Sequence, residues 1–110
     1  MASKYGYRFA QRAAGDVTGI VDYMAGELAN PEAAAAFKKK LGECIDNLRV
    51  FPKSGSPVRN RCVWKKGIRK TLVGSYVLFY FPDEAKQTIQ ILRVVYGARD
   101  MDEVLKGLSS

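Results

Sequence analysis

The chain has 110 residues, 47% of them hydrophobic, which is enough for one domain with a thin core and leaves no room for a second lobe. It carries 18 basic and 11 acidic residues, a formal charge of +7, and no histidine, so histidine metal sites and histidine acid–base catalysis are excluded. Two isolated cysteines, Cys44 and Cys62, do not make a zinc site, no segment reaches the ~20 apolar residues of a membrane span, and no signal peptide opens the chain; a metal-free, cofactor-free protein of a reducing cytoplasm is expected.

Tyr5–Phe9 is a strand candidate, with Tyr5, Tyr7 and Phe9 on one face at period two. Gly15-Asp16 is expected to stop it, Asp16 capping a helix by accepting from the free amides of the first turn. Val17, Ile20, Val21, Met24 and Leu28 then recur at helical spacing as one apolar stripe. Asn30-Pro31 starts a second helix, with Asn30 as cap and Pro31 where its missing N–H costs nothing. Phe37, Leu41, Ile45 and Leu48 form its buried stripe, and Cys44 joins that face. Two amphipathic helices with so short a link make an antiparallel hairpin. Lys38, Lys39 and Lys40 read as a solvated face.

Phe51-Pro52 ends the second helix, and Lys53 to Arg61 is a loop. Three strands follow, at about Lys66–Val73, Tyr76–Phe81 and Thr88–Tyr96. Gly74-Ser75 has the signature of a type II′ hairpin turn, with glycine supplying positive φ. In the middle strand Tyr76, Leu78 and Tyr80 face one way and Val77, Phe79 and Phe81 the other. Both faces are apolar, so the strand is central and the sheet needs a cover on each side. The helix hairpin covers one face. Only the short piece Met101–Leu108 is available for the other, which leaves an apolar surface open to a partner. The expected fold is α+β: an N-terminal strand, a helix hairpin packed on a small antiparallel sheet, and a short C-terminal helix.

Between Asn47 and Phe81 there is no acidic residue and there are eight basic ones: Arg49, Lys53, Arg59, Arg61, Lys65, Lys66, Arg69 and Lys70. A one-sign run of this kind makes a positive field that draws nucleic acid or acidic protein. Trp64, among Arg61, Lys65 and Lys66, has two readings, a stacking anchor for a partner or an edge-strand core residue. Cys62 beside Arg61 reads as an inert thiol.

The order of elements resembles the RelE/ParE toxins of bacterial toxin–antitoxin pairs, and the wording resembles the ParE branch. The resemblance covers nearly the whole chain. It is carried by Asn47-Leu-Arg-Val-Phe-Pro52 with Gly55 after it, Gly67-Ile-Arg69, Val73-Gly-Ser-Tyr-Val-Leu-Phe-Tyr80 and Ile91-Leu-Arg-Val-Val-Tyr-Gly-Ala-Arg-Asp100. The chain departs from the ParE pattern at Tyr96, where those toxins typically carry a histidine.

What the resemblance implies divides in two. RelE-type members cleave messenger RNA on the ribosome with lysines and arginines on the sheet and a C-terminal tyrosine. ParE-type members block DNA gyrase by binding. Arg99 aligns with the late arginine of the ribonuclease set, and Lys65 and Lys66 could stand for its lysines. The expected central-strand arginine falls on Val77 and the tyrosine on Leu105, so no complete acid–base set is present. The ParE reading needs a surface. Arg69, Arg93 and Arg99, ringed by Tyr76, Tyr80 and Tyr96, would form a basic patch on the open face of the sheet, and Arg69, Arg93, Tyr96 and Arg99 are the expected target contacts. The plain alternatives are an ion pair of Arg93 with Asp83, Glu84 or Asp100, Asp100 as the cap of the last helix, and core packing for the tyrosines. A ParD-like antitoxin is the implied partner, an acidic amphipathic segment lying near Tyr23, Met24, Phe37 and Leu41. A third reading is a binding module that keeps only the antitoxin contact.

Overall fold

The computed structural model describes residues 4–59, 66–97 and 101–108. The elements run β1 (Gly6–Phe9), α1 (Gln11–Asp22), a π-helical turn (Tyr23–Glu27), α2 (Pro31–Val50), β2 (Ser56–Pro57), β3 (Arg69–Val73), β4 (Tyr76–Asp83), β5 (Thr88–Tyr96) and α3 (Met101–Leu108). The strands form one sheet in the order β1-β5-β4-β3-β2. The meander β2 to β5 is antiparallel, as its hairpin links require. The expectation of a purely antiparallel sheet is corrected at one edge. β1 lies parallel to β5, Gly6 opposite Thr88 and Phe9 opposite Ile91, because the whole helix hairpin intervenes as a crossover.

The first helix starts earlier than expected. β1 ends at Phe9, extended Ala10 (ψ 154°) serves as the cap without a side-chain bond, and α1 begins at once. Asp16 is therefore inside the helix and caps nothing in it. Val17, Ile20, Val21 and Met24 pack on the core as the stripe predicted, but Leu28 is exposed. The π turn carries an extra residue per turn, which rotates Leu28 off the stripe. The second helix follows its sequence pattern throughout. The Asn30 side chain accepts from the Ala33 amide at 3.0 Å, Pro31 is the first helical residue, and Phe37, Leu41, Ile45 and Leu48 are buried. Each such side chain adds about 1.5–3 kcal/mol of burial.

The main core lies between the hairpin and one face of the sheet, with Leu78, Tyr80, Ile89, Ile91 and Val94 opposite the α2 stripe. Gly74 has φ +60° at the β3–β4 turn and Ser75 is not in the left-handed region, as a II′ turn demands. The second face is smaller. There Phe79 and Val95 are covered by Val104 and Leu105 of α3. The short C-terminal helix thus takes the place expected for it. Among the described residues no helix is long and apolar enough to cross a membrane, and no metal-ligand cluster occurs.

Candidate functional site

Strand parity decides where the expected contact residues go. β3 alternates so that Val73 meets the main core, which puts Arg69 on the hairpin side and Lys70 and Leu72 on the α3 side. In β5 a bulge opposite Phe79 inserts one residue: Phe79 pairs with Arg93 and Tyr80 with Ile91, skipping Leu92. Leu92 packs on the α3 side, while Arg93 is turned toward α1. The expectation that Arg69 and Arg93 project from the open face as a basic patch is therefore corrected. Both lie on the hairpin side, and each is engaged within the chain.

Arg93 is 5% exposed. Its Nε and Nη2 donate to the two carboxylate oxygens of Asp16 at 2.7 and 3.1 Å, and the Val94 amide donates to the same carboxylate at 3.0 Å. β1 has ended by then, so this half of β5 has no strand on that side, and the Asp16 side chain from α1 serves the edge. Arg69 donates to the carbonyls of Lys53 and Gly55 at 3.1 and 2.5 Å, and the Tyr80 hydroxyl accepts from the Gly55 amide at 2.9 Å. Arg69 and Tyr80 together hold the loop after α2 against the sheet. Burial pushes the Tyr80 hydroxyl's pKa up, opposed by the Gly55 amide and the Arg69 charge.

Tyr96 is different: it is 56% exposed. Its ring meets Tyr76 edge-on at 5.8 Å, and Tyr76 meets buried Phe37 at 5.1 Å. The outermost aromatic is thus braced through a second ring to the core. These rings wall a groove of about 660 Å³ between α1 and β5. Ile20, Tyr23 and Leu28 form its other wall, and Gly15 and Gly19 keep the helix side open. Of the four residues expected to meet an antitoxin, Tyr23 is exposed and Met24 half-buried. Phe37 and Leu41 are core residues, and their side chains are spent on the sheet. This corrects the expectation that they face a partner, since the stripe that binds a helix to its own sheet is not free for another chain. Arg99, Asp100, Trp64, Cys62, Arg61 and Lys65 lie outside the described residues.

Two features escaped the sequence reading. Asp16 looked like a cap, and nothing local in the sequence signals a partner in β5. Arg49 is the other: its Nε donates to the Tyr5 carbonyl at 2.6 Å and its guanidinium lies 5.6 Å from the centre of the Tyr7 ring, fastening β1 to the end of α2.

This architecture is an α+β fold of the RelE/ParE-like kind. Its fold is similar to that of a solved chain from the chromosomal ParDE toxin–antitoxin system of P. aeruginosa, with a TM-score of 0.64 and 21% identity over 86% of this chain and 98% of that one. It is also similar to a chain of the RelBE2 toxin–antitoxin complex of Mycobacterium tuberculosis, with a TM-score of 0.51 and 22% identity over 84% and 98%. No curated protein sequence matches the chain. The family described as the ParE toxin of type II toxin–antitoxin system, parDE, matches residues 7–101, and the chain belongs to it.

Proposed function

We propose that this ParE-family toxin acts in the cytoplasm by binding DNA gyrase, without a chemical step of its own, and is neutralised by a ParD-like antitoxin. The observation that carries the reading is the fate of Val77 and Leu105. These positions correspond by resemblance to the arginine and tyrosine of a RelE-type ribonuclease. Here Leu105 is buried against Phe79 and Val95, and Val77 packs beside them. Proton transfer to and from a ribose hydroxyl needs ionisable groups at such places, whereas binding needs a shaped surface.

The surface we assign to the target centres on exposed Tyr96, braced by Tyr76, with Arg93 fixing the strand behind it. Arg69 is assigned to the same role through the loop it clamps, and Arg99 by resemblance alone. Equilibrium binding to purified gyrase and to ribosomes, measured side by side, tests this. Binding to gyrase that Tyr96→Ala weakens at least about tenfold is expected for a central aromatic anchor; binding to ribosomes alone would refute it.

For the antitoxin we assign the groove walled by Tyr23, Leu28 and Tyr96, with Met24 alongside. An acidic amphipathic segment fits a positively charged chain with exposed apolar side chains there. Mixing with the protein encoded beside this one should give a complex that survives moderate salt, since apolar anchors are not screened. A weak complex dispersed by salt would remove the assignment.

A further inference from the structure

The outer strands of the sheet are β2 and β1. β2 is two residues long and ends in Pro57, which has no amide to offer, so that side is blunted. β1 has neither proline nor bulge and is exposed from Gly6 to Arg8. The Gly6 and Ala10 amides donate inward to the Gln87 and Ile91 carbonyls at 2.9 and 2.8 Å. Strand alternation therefore turns the Tyr7 amide and carbonyl and the Phe9 amide away from the sheet. The end of α2 takes up the outward groups of Tyr5, whose amide donates to the Arg49 carbonyl at 2.9 Å and whose carbonyl accepts from Arg49 Nε. Among the described residues nothing does this for Tyr7 or for the Phe9 amide.

Beside this edge the chain leaves aromatic side chains open. Tyr7 is 51% exposed and Phe51 60%, with Val50 exposed next to it. Tyr5, Val50, Phe51 and Pro52 line a hollow of about 550 Å³, and since Tyr5 leads directly into β1 the hollow continues the line of the strand. The charges are of one sign. No acidic residue precedes Asp16, whereas Lys4, Arg8 and Arg12 do, and all three are exposed. Arg8 stands on the α3 side of β1 beside Leu92, and Arg49 on the hairpin side beside the Tyr7 ring. Two acids stand nearby, Asp46 and Glu84, and each already faces a cation, Arg49 and Lys53.

We propose that β1 accepts an extended acidic segment of another protein as a sixth strand on the five-stranded sheet, with an apolar side chain of that segment seated in the Phe51 hollow. The side chains of an added strand alternate between the two faces, so they meet Arg8 on one and Arg49 with Tyr7 on the other. Acidic residues match those cations, and tyrosine beside arginine is the composition of an interface anchor. A second copy of the chain is disfavoured, because two β1 strands side by side would set Lys4 and Arg8 against their own kind. A helix would leave the outward amides unused. The surface is separate from the groove walled by Tyr96 and rests on neither the gyrase nor the antitoxin reading.

The test is fluorescence anisotropy of the purified chain with a labelled peptide of about eight residues, alternating glutamate and valine and ending in phenylalanine. Two further peptides carry N-methyl groups on the valine amides or on the glutamate amides. In a strand only one of these sets faces β1, so one methylated peptide should bind at least about tenfold more weakly and the other nearly as well as the parent. Because methylation alters only the ligand, this comparison does not depend on any variant folding. Arg8→Glu should weaken the parent peptide about tenfold, roughly twice the weight of one exposed ion pair, with an unchanged circular dichroism spectrum. Lys38→Glu, the same charge change on the solvent face of α2, should weaken it far less. No binding at low salt, equal binding of all three peptides, or equal weakening by Lys38→Glu would overturn the proposal. A concentration-dependent dimer in sedimentation velocity that the peptide disperses would give the edge to a second copy and overturn it too.

Discussion

Asp16 and Arg93 are 77 positions apart in sequence and meet through two hydrogen bonds of 2.7 and 3.1 Å, both side chains nearly out of solvent. Removing one partner strands the other's charge in the interior, which typically costs about 3–5 kcal/mol, while replacing both with apolar groups costs far less. Arg93→Met and Asp16→Leu should each lower unfolding stability by that amount in urea titrations. The double variant should lose much less than the sum. Additive losses would mean the pair is not coupled. Arg93 is therefore a folding residue before it is anything else.

Gly55 admits no side chain. A Cβ there would lie 2.6 Å from both the Lys70 carbonyl and the Tyr80 hydroxyl. Gly55→Ala should cost about 1–3 kcal/mol through this overpacking. Tyr80→Phe, which leaves the Gly55 amide without its acceptor, should cost about 1–3 kcal/mol. Thermal melts measure both, and a neutral Gly55→Ala would show that the loop is not held against Tyr80.

Ala29 sits at φ +47°, in the left-handed region, where the π turn hands over to Asn30. A Cβ costs about 1–2 kcal/mol there. Ala29→Gly should therefore stabilise the protein, by up to about 1 kcal/mol once the extra freedom of glycine in the unfolded chain is counted. A lower melting temperature for Ala29→Gly would contradict this.

Alkaline pH should unfold the protein in a graded way. Burial raises the pKa of the Cys44 thiol and of the Tyr80 hydroxyl. A group whose pKa rises on folding holds its proton more tightly when folded. Its contribution is complete below the ordinary value and is lost as pH climbs through the raised one. Stability should stay level near neutrality and fall above about pH 9, and Cys44→Ala should flatten the first part of that fall. A curve for Cys44→Ala parallel to that of the parent protein would exclude the thiol as a cause.

What could be read from the sequence was whatever a single element decides. The α2 stripe, the Asn30-Pro31 start, the Gly74-Ser75 turn and the two apolar faces of β4 each follow from spacing or turn chemistry within a few residues, and the structure has them all. What was lost depends on distant pairing. The bulge that turns Arg93 toward α1 exists only between β4 and β5, and it reverses which side of the sheet a charge occupies. Asp16 has the residue type and the flanking glycine of a helix cap, yet the helix had already begun at Gln11 and the carboxylate went to β5. Phe37 and Leu41 were visible as a stripe, but a stripe does not say whether its partner is the chain's own sheet or another protein.

The most direct measurement is plasmid supercoiling by gyrase in the presence of the purified chain, with cleavage of ribosome-bound messenger RNA followed in parallel. Inhibited supercoiling, trapped cleaved plasmid and intact messenger RNA are the predicted result. Cut messenger RNA with normal supercoiling would contradict it, and would require an acid and a base among the lysines, arginines and tyrosines of a sheet that carries Val77 and Leu105 at the corresponding places.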